Sequence, residues 1–383
     1  MKRRILSDWL THRVGVAACV ALAWVVAFPA IAAAQVEPVD TIADADVSGL
    51  DAEAATGDFN EQFYRRFSKI VVADRGSGTL TVISTRNDQV IDTLELPPGD
   101  NPAEPMYVYY TPIKNRFFVG DRGNNRVVAY NARTLEVDGM APCGAGVFHM
   151  WGNLRKRQLW VNNDVDNTTS VIDMRTLNTI ATVPTPDDLV AANGKPHDVI
   201  LSPNGKFAYV SVIGVDGDFD YVVQYSTRTF AEVNRIAVGG DPHLSLTWRN
   251  RNLYVPCQDT GEVYVLDRRT LDVEKVVDVP GAHGAGMTLN GRFFYTSNLP
   301  GGGDDALWTI DTKTNEVIGE PTDAPYTVPH NIALTPTGGK LYLTHSGPND
   351  KVTIYRTSRW DPTPQYVGEV TTGSNPFGLA WVP

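Results

Sequence analysis

The sequence predicts an all-β protein, a seven-bladed β-propeller of four-stranded blades closed by pairing of its N- and C-terminal segments. Three observations carry this prediction. A turn followed by alternating apolar residues recurs along the chain, a second kind of turn recurs downstream of each copy, and the two ends supply complementary parts of one unit. Short strands at regular spacing with two turn signals per unit are the pattern of a propeller blade.

The segment ahead of the repeats reads as two parts. Residues 1–34 form an export signal: Lys2, Arg3, Arg4 and Arg13 are basic, Val14 to Ile31 is apolar, and Ala32-Ala33-Ala34 offers small residues for cleavage. Residues 35–62 carry Glu37, Asp40, Asp44, Asp46, Asp51, Glu53 and Asp58 among small residues and read as a solvated acidic spacer. The propeller is assigned to 63–383. The expected location is periplasmic or secreted, where Cys143 and Cys257 are free to form a disulfide. The formal net charge of -11 excludes a phosphate-binding face, so nucleic acid is not an expected partner. The early apolar run is the one membrane-length candidate, so the chain is not expected to be an integral membrane protein.

The first repeat element is clearest at Ser202-Pro203-Asn204-Gly205, followed by Lys206 to Ser211. It returns at Thr288 to Tyr295 and Thr335 to Tyr342, and more weakly at Asn115 to Val119, Arg157 to Val161 and Arg251 to Val255. The second turn reads Asn131 to Leu135, Asp173 to Leu177, Ser226 to Phe230 and Asp267 to Leu271, with further copies at Ser84-Thr85-Arg86, Asp311 to Thr314 and Arg356-Thr357-Ser358. At the ends, 375–382 form an innermost strand with nothing after it, and 69–97 form three outer strands lacking an innermost one. Together they complete a blade and leave no open edge.

These units resemble the YVTN-type seven-bladed propellers, on the strength of Pro196-His197 through Ser211, where Asn204 replaces the Asp of the family pattern. The resemblance implies the fold; propellers of this kind host many activities.

Aligning the blades on the residue that enters each innermost strand gives Met106, His149, His197, His243, His283, His330 and Phe377. Innermost strands line the central channel, so these positions form a circle at one mouth. The alignment therefore brings five imidazoles to a common axis. Imidazole is the commonest protein ligand for late first-row metals, and His149, His197, His243, His283, His330 and Met106 are the expected metal ligands. Copper is the first expectation because of the thioether, followed by zinc and iron. The crown is similar to the catalytic propeller of nitrous oxide reductase, but this chain has no His-His pair and no cupredoxin-like segment after its last strand.

The returning strands bring a second set of polar groups to the same mouth. Asp74, Asp121 and His345 are the candidates for proton handling, and Asn163, Gln258, Asn298 and Arg122 for substrate contact. The expected partners are a small-molecule substrate or a metal ion, with a periplasmic electron-transfer partner if the enzyme is an oxidoreductase. The other class of reading is a metal-free propeller serving as an interaction or ligand-binding scaffold. Asp216 to Asp220 and Asn163 to Asn167 have alternating carboxylates, but hairpin turns favour such residues for backbone reasons. The tryptophans are expected to pack between blades, and Pro300 to Asp304 to form a hairpin tip.

Overall fold

The computed structural model describes residues 68–246, 249, 251–299 and 302–383, with backbone only for 302–305. The export signal, the spacer, Trp248, Pro300 and Gly301 lie outside the described residues. Seven antiparallel sheets form the blades of a propeller. A typical blade runs Lys195–Leu201, Phe207–Ile213, Asp220–Ser226 and Glu232–Val238 from the axis outwards. The closing blade joins both ends of the fold: Pro376–Val382 pairs with Lys69–Asp74, Lys69 facing Val382, and the Lys69 Nζ donates to the Pro383 carbonyl at 2.8 Å.

Two blades depart from the regular plan. The blade built on Asn252–Cys257, Glu262–Asp267 and Val273–Asp278 has its innermost segment attached by the bridges Pro242 to Cys257 and Ser245 to Tyr254. In the next, Gly302–Asp311 is paired on its outer side by both Glu316–Val317 and Thr322–Thr327. Part of the expected hairpin tip is thus strand.

Burial follows the layers. The second strands are buried except at the ends of two of them, as in Gln158–Asn163, while the outermost strand Gln89–Glu95 is mostly exposed. The core therefore lies between blades, where Trp160, Tyr209, Tyr254, Tyr295 and Tyr342 are fully buried. Their hydroxyls also lock blade to blade: Tyr254 donates to Asn315 Oδ1 at 2.7 Å, Tyr295 to the Pro362 carbonyl at 2.9 Å and Tyr342 to Asp88 Oδ1 at 2.6 Å. Not every tryptophan shares this role, since Trp360 is 82% exposed. The recurring second turn has a local cause. The Asp173 and Asp267 carboxylates each accept two following backbone N–H groups, and Leu177 and Leu271 take left-handed φ of 65° and 63°.

Candidate metal centre at the channel mouth

In six blades the inner strand carries a bulge near its start, where two residues face one on the neighbouring strand. The pairs are Met106-Tyr107, Phe148-His149, His197-Asp198, His283-Gly284, His330-Asn331 and Phe377-Gly378. A bulge bends the strand and re-aims its side chains. It also frees a backbone N–H, and in three of the blades a hydroxyl on the neighbouring strand takes it: Asp198 N–H donates to Ser211 Oγ at 2.8 Å, Gly284 to Ser297 Oγ at 2.9 Å and Asn331 to Thr344 Oγ1 at 2.9 Å. Two of those hydroxyls donate onward to the next blade, Ser297 to the His330 carbonyl at 2.7 Å and Thr344 to the Phe377 carbonyl at 2.9 Å. The ring residues are held by the backbone ladder of their neighbours.

Six aromatic rings close a circle. Centroid separations are 4.5 Å for Phe148–His197, 4.9 Å for His197–His243, 3.8 Å for His243–His283, 4.7 Å for His283–His330, 4.2 Å for His330–Phe377 and 6.0 Å for Phe377–Phe148. The circle is divided, with four imidazoles together on one side and two phenyl rings on the other.

Two carboxylates complete the imidazole side. Asp198 Oδ2 lies 3.5 Å from His243 Nδ1, and Asp241 Oδ1 lies 3.6 Å from His243 Nε2 and 3.8 Å from His197 Nε2. His197, Asp198 and His243 form one group whose ligand atoms all lie within 4.8 Å of one another, and Asp241, His243 and His283 form a second. Ligands at about 2.0–2.1 Å from a tetrahedral ion stand about 3.3 Å apart, so these spacings suit a shared cation with small adjustment. Four atoms of the cluster are buried without a hydrogen-bond partner: Asp198 Oδ1, Asp241 Oδ1, His243 Nε2 and His283 Nε2. Buried polar atoms are normally paired, and an ion held by Asp241, His243 and His283 would give three of them a partner. The residues fit a metal.

The hydrogen bonds also fix the imidazole protons. His283 Nδ1–H donates to Gln258 Oε1 at 2.7 Å, leaving the Nε2 lone pair free to ligate. His330 Nδ1 accepts from Asn331 Nδ2 at 2.8 Å, and His149 Nδ1 accepts from the Val199 N–H at 3.1 Å. Burial, then His243, pushes His197 down to about 4 and His330 to about 3; His283 falls well below its usual value for the same reasons. His243 goes the other way. Burial opposes its charge, but the Asp198 and Asp241 carboxylates on either side of the ring outweigh burial and raise it. Asp198 stays ionised against its own burial because of His149 and His243, and Asp241 is likewise lowered. The cluster is built to hold one positive charge, whether a proton on His243 or a metal ion.

A cavity of about 660 Å³ opens on the circle, and Phe148, His197, Asp241, Gln258, His283 and His330 are among its lining residues.

Several sequence expectations are corrected by this geometry. His149 occupies the second bulge position, equivalent to Asp198, so Phe148 stands in the circle instead and four histidines rather than five share the ring position. Met106 takes the equivalent position but is fully buried in the apolar cluster with Phe118, Val127 and Met150 and belongs to neither group of ligand atoms. His345 is fully buried, Nδ1–H donating to the Thr327 carbonyl at 3.1 Å and Nε2 accepting from Thr353 at 2.9 Å; it stacks edge-on with Tyr326 and not with the crown. Asp74 accepts from Thr81 at 2.7 Å and Thr79 at 3.2 Å, and Asp121 from Arg126, Asn124 and the Glu104 N–H. These carboxylates tie turns. Arg122 is engaged by Asp164 at 2.9 Å, and Asn163 donates to Thr168 and Ser170. Asn298 is buried beside Gly281. Of the proposed substrate contacts, Gln258 alone lines the cavity. Cys143 and Cys257 are free thiols. The residues that sequence reasoning missed are Asp198 and Asp241. Each lies within two positions of a ring histidine, in His197-Asp198 and Asp241-Pro242-His243, and that adjacency was the available signal.

The seven-bladed ring and its closure define a class of protein, and comparison with known proteins narrows it. Residues 64–285 match the family described as "Lactonase, 7-bladed beta-propeller". The chain belongs to that family. Among curated proteins, Protein NirF of Pseudomonas aeruginosa is 26% identical over 182 residues, 44% of this chain and 43% of that protein, so the chain matches less than half of that relative's length. Among solved structures, the periplasmic gluconolactonase PpgL of Pseudomonas aeruginosa is similar at 18% identity with a TM-score of 0.65, covering 82% of this chain and 99% of that one. Kuenenia stuttgartiensis hydrazine synthase is similar at 18% identity and a TM-score of 0.60, covering 74% of this chain and 91% of that one. The dihydro-heme d1 dehydrogenase NirN matches at 16% identity and a TM-score of 0.57, covering 82% and 75% respectively. At these identities the structural likeness speaks for the fold. Among the described residues no helix is long and apolar enough to cross a membrane.

Proposed function

We propose that this chain is a metal-dependent hydrolase of the periplasm, acting on a small ester or lactone. The observation that carries the reading is the convergence of His197, His243, His283, Asp198 and Asp241, with four of their buried ligand atoms otherwise unpartnered. The family description adds the reaction class, ring-opening of a lactone, and the periplasmic gluconolactonase of similar fold supports the location. The preferred ion is zinc, with iron and copper behind it. The copper expectation leaned on soft ligands, but Met106 lies in the apolar core and the buried Cys257 thiol donates to the Val255 carbonyl. Imidazole and carboxylate are the ordinary donors of catalytic zinc.

A divalent ion here supplies Lewis acidity and a water acidic enough to attack a carbonyl near neutral pH. The remaining roles fall to the chain itself. Gln258 keeps the His283 lone pair facing the site. Asp198, buried among the histidines, holds charge. Asp241 lines the cavity and is placed to hold the proton of an attacking water. Phe148 and Phe377 provide an apolar bed for the rest of the substrate.

One observation favours a second reading, a metal-free ligand-binding propeller: His243 sits between two carboxylates and is raised toward its charged form. Elemental analysis of protein isolated from its own periplasm separates the two. The hydrolase reading expects about one ion per chain, lost in His243→Ala, and a lactone-hydrolysis rate that falls on chelation and returns with zinc. Metal-free protein hydrolysing lactones at the full rate overturns it.

A further inference from the structure

The walls of the cavity carry one sign of charge. Asp218, Asp220, Asp241 and Asp259 line it, and neither Lys nor Arg is among its lining residues. Asp198 adds a fifth carboxylate among the histidines. A divalent ion offsets two of the five, and 5 - 2 leaves three in excess, so the filled site still repels anions. Arg75 packs on Phe377 at 5.2 Å but is engaged by Glu104 at 2.6 Å, which neutralises it. Aromatic faces are interleaved with the carboxylates: Phe219, 55% exposed between Asp218 and Asp220, stands with Phe148 and Phe377 around the same space. Carboxylates beside aromatic faces attract organic cations by charge and by the ring quadrupole together. The crown itself opens on this same space. His283 is 4% exposed, its Nε2 has no partner, and it lines the cavity.

We propose that the cavity selects organic cations, protonated or quaternary amines that also carry the ester or lactone carbonyl. The proposal rests on the hydrolase reading and names its substrate class. The ammonium group is held among Asp218, Asp259 and Phe219 while the carbonyl faces the imidazole side of the circle. Sugar-acid phosphates and other anionic lactones are excluded by the same charge.

The test is calorimetric titration of the full chain, zinc-loaded and metal-free, with choline and with its uncharged carbon isostere neohexanol. Choline is expected to bind about tenfold more tightly than neohexanol in both forms. Asp218→Asn combined with Asp259→Asn, both exposed positions, is expected to weaken choline several-fold while leaving neohexanol unchanged, and raised salt is expected to do the same. Equal affinity for the two probes, or choline binding indifferent to the double variant and to salt, overturns the proposal. The two readings fail separately. Selective choline binding by a protein that takes up no metal refutes the hydrolase alone, whereas zinc-dependent hydrolysis of neutral lactones without choline selectivity refutes the substrate class alone.

Discussion

At the residue scale, the behaviour of each histidine follows from its two ring nitrogens. Gln258 fixes the His283 tautomer through one 2.7 Å hydrogen bond, and loss of such a partner typically costs ten- to a hundredfold in metal affinity. Gln258→Leu is therefore expected to weaken zinc by about tenfold or more in a competition titration with a chromogenic chelator, with little change in unfolding temperature. His345 is the contrasting case, a buried imidazole satisfied on both nitrogens. Burial pushes it from 6.5 down to about 4. The unfolded chain then takes up a proton between those values and the folded one does not, so this group's stability is present above pH 6.5 and is lost as pH falls toward 4. At about pH 5 the loss amounts to about 2 kcal/mol. Urea unfolding of the wild type and His345→Gln should show the gap between them shrinking by about that amount from about pH 7.5 to about pH 5. A gap that does not change with pH would contradict the assignment.

Composition and spacing made the histidines legible, because only a radial repeat brings residues a blade-length apart onto one axis. The two aspartates were not legible in the same way. Asp198 fills the second half of the bulge, a position that holds Tyr107, His149, Gly284, Asn331 and Gly378 in other blades and so shows no recurring residue type, and Asp241 enters through the one blade whose innermost segment is bridged rather than laddered.

At the element scale, the bulge is the device that turns a channel-lining strand into a site. It places two residues where the pleat allows one, so a one-residue change of register exchanges the residue facing the axis for the one behind it. That is why His149 was misplaced by a sequence alignment and Phe148 stands in the circle: the alignment could count blades but could not see which half of the bulge each residue fills. The second half of the bulge also sets how closely blades approach. A Cβ on Gly284 would lie 1.7 Å from the His330 carbonyl oxygen and 2.6 Å from Ser297 Oγ. Gly284→Ala is expected to cost about 3 kcal/mol in urea unfolding and to weaken metal binding with it, because the same shift moves His283 away from His330. An unaltered stability would mean that the blades tolerate separation, and the crown would lose its rigidity argument.

At the scale of the whole molecule, the closed ring makes every blade depend on the last one. Pro376–Val382 is hydrogen-bonded to Lys69–Asp74 over nearly its whole length, and without it the closing blade exposes the unpaired edge of Lys69–Asp74 and loses its innermost layer. Removal of residues 376–383 is expected to abolish cooperative thermal unfolding followed by circular dichroism and to yield aggregate on size exclusion. A soluble, cooperatively melting truncation would show that closure is dispensable. The number of blades and the closure were readable from the repeats, since each unit carries its own turn chemistry, whereas the family that matches is the lactonase-type seven-bladed propeller and not the YVTN type the repeats resemble. The function was readable only in part. The repeats say which residues meet, while the charges that decide what they hold come from positions where the repeats differ.

The central claim is that the crown gathers imidazole and carboxylate around one cation. Anomalous diffraction at the zinc edge, on crystals of the zinc-loaded full chain, tests it most directly. The account predicts a single strong peak about 2.0–2.1 Å from a His243 nitrogen, with Asp198 or Asp241 and a second histidine as further ligands. A map with no peak at the crown, and His243 donating to both carboxylates as an imidazolium, would contradict it.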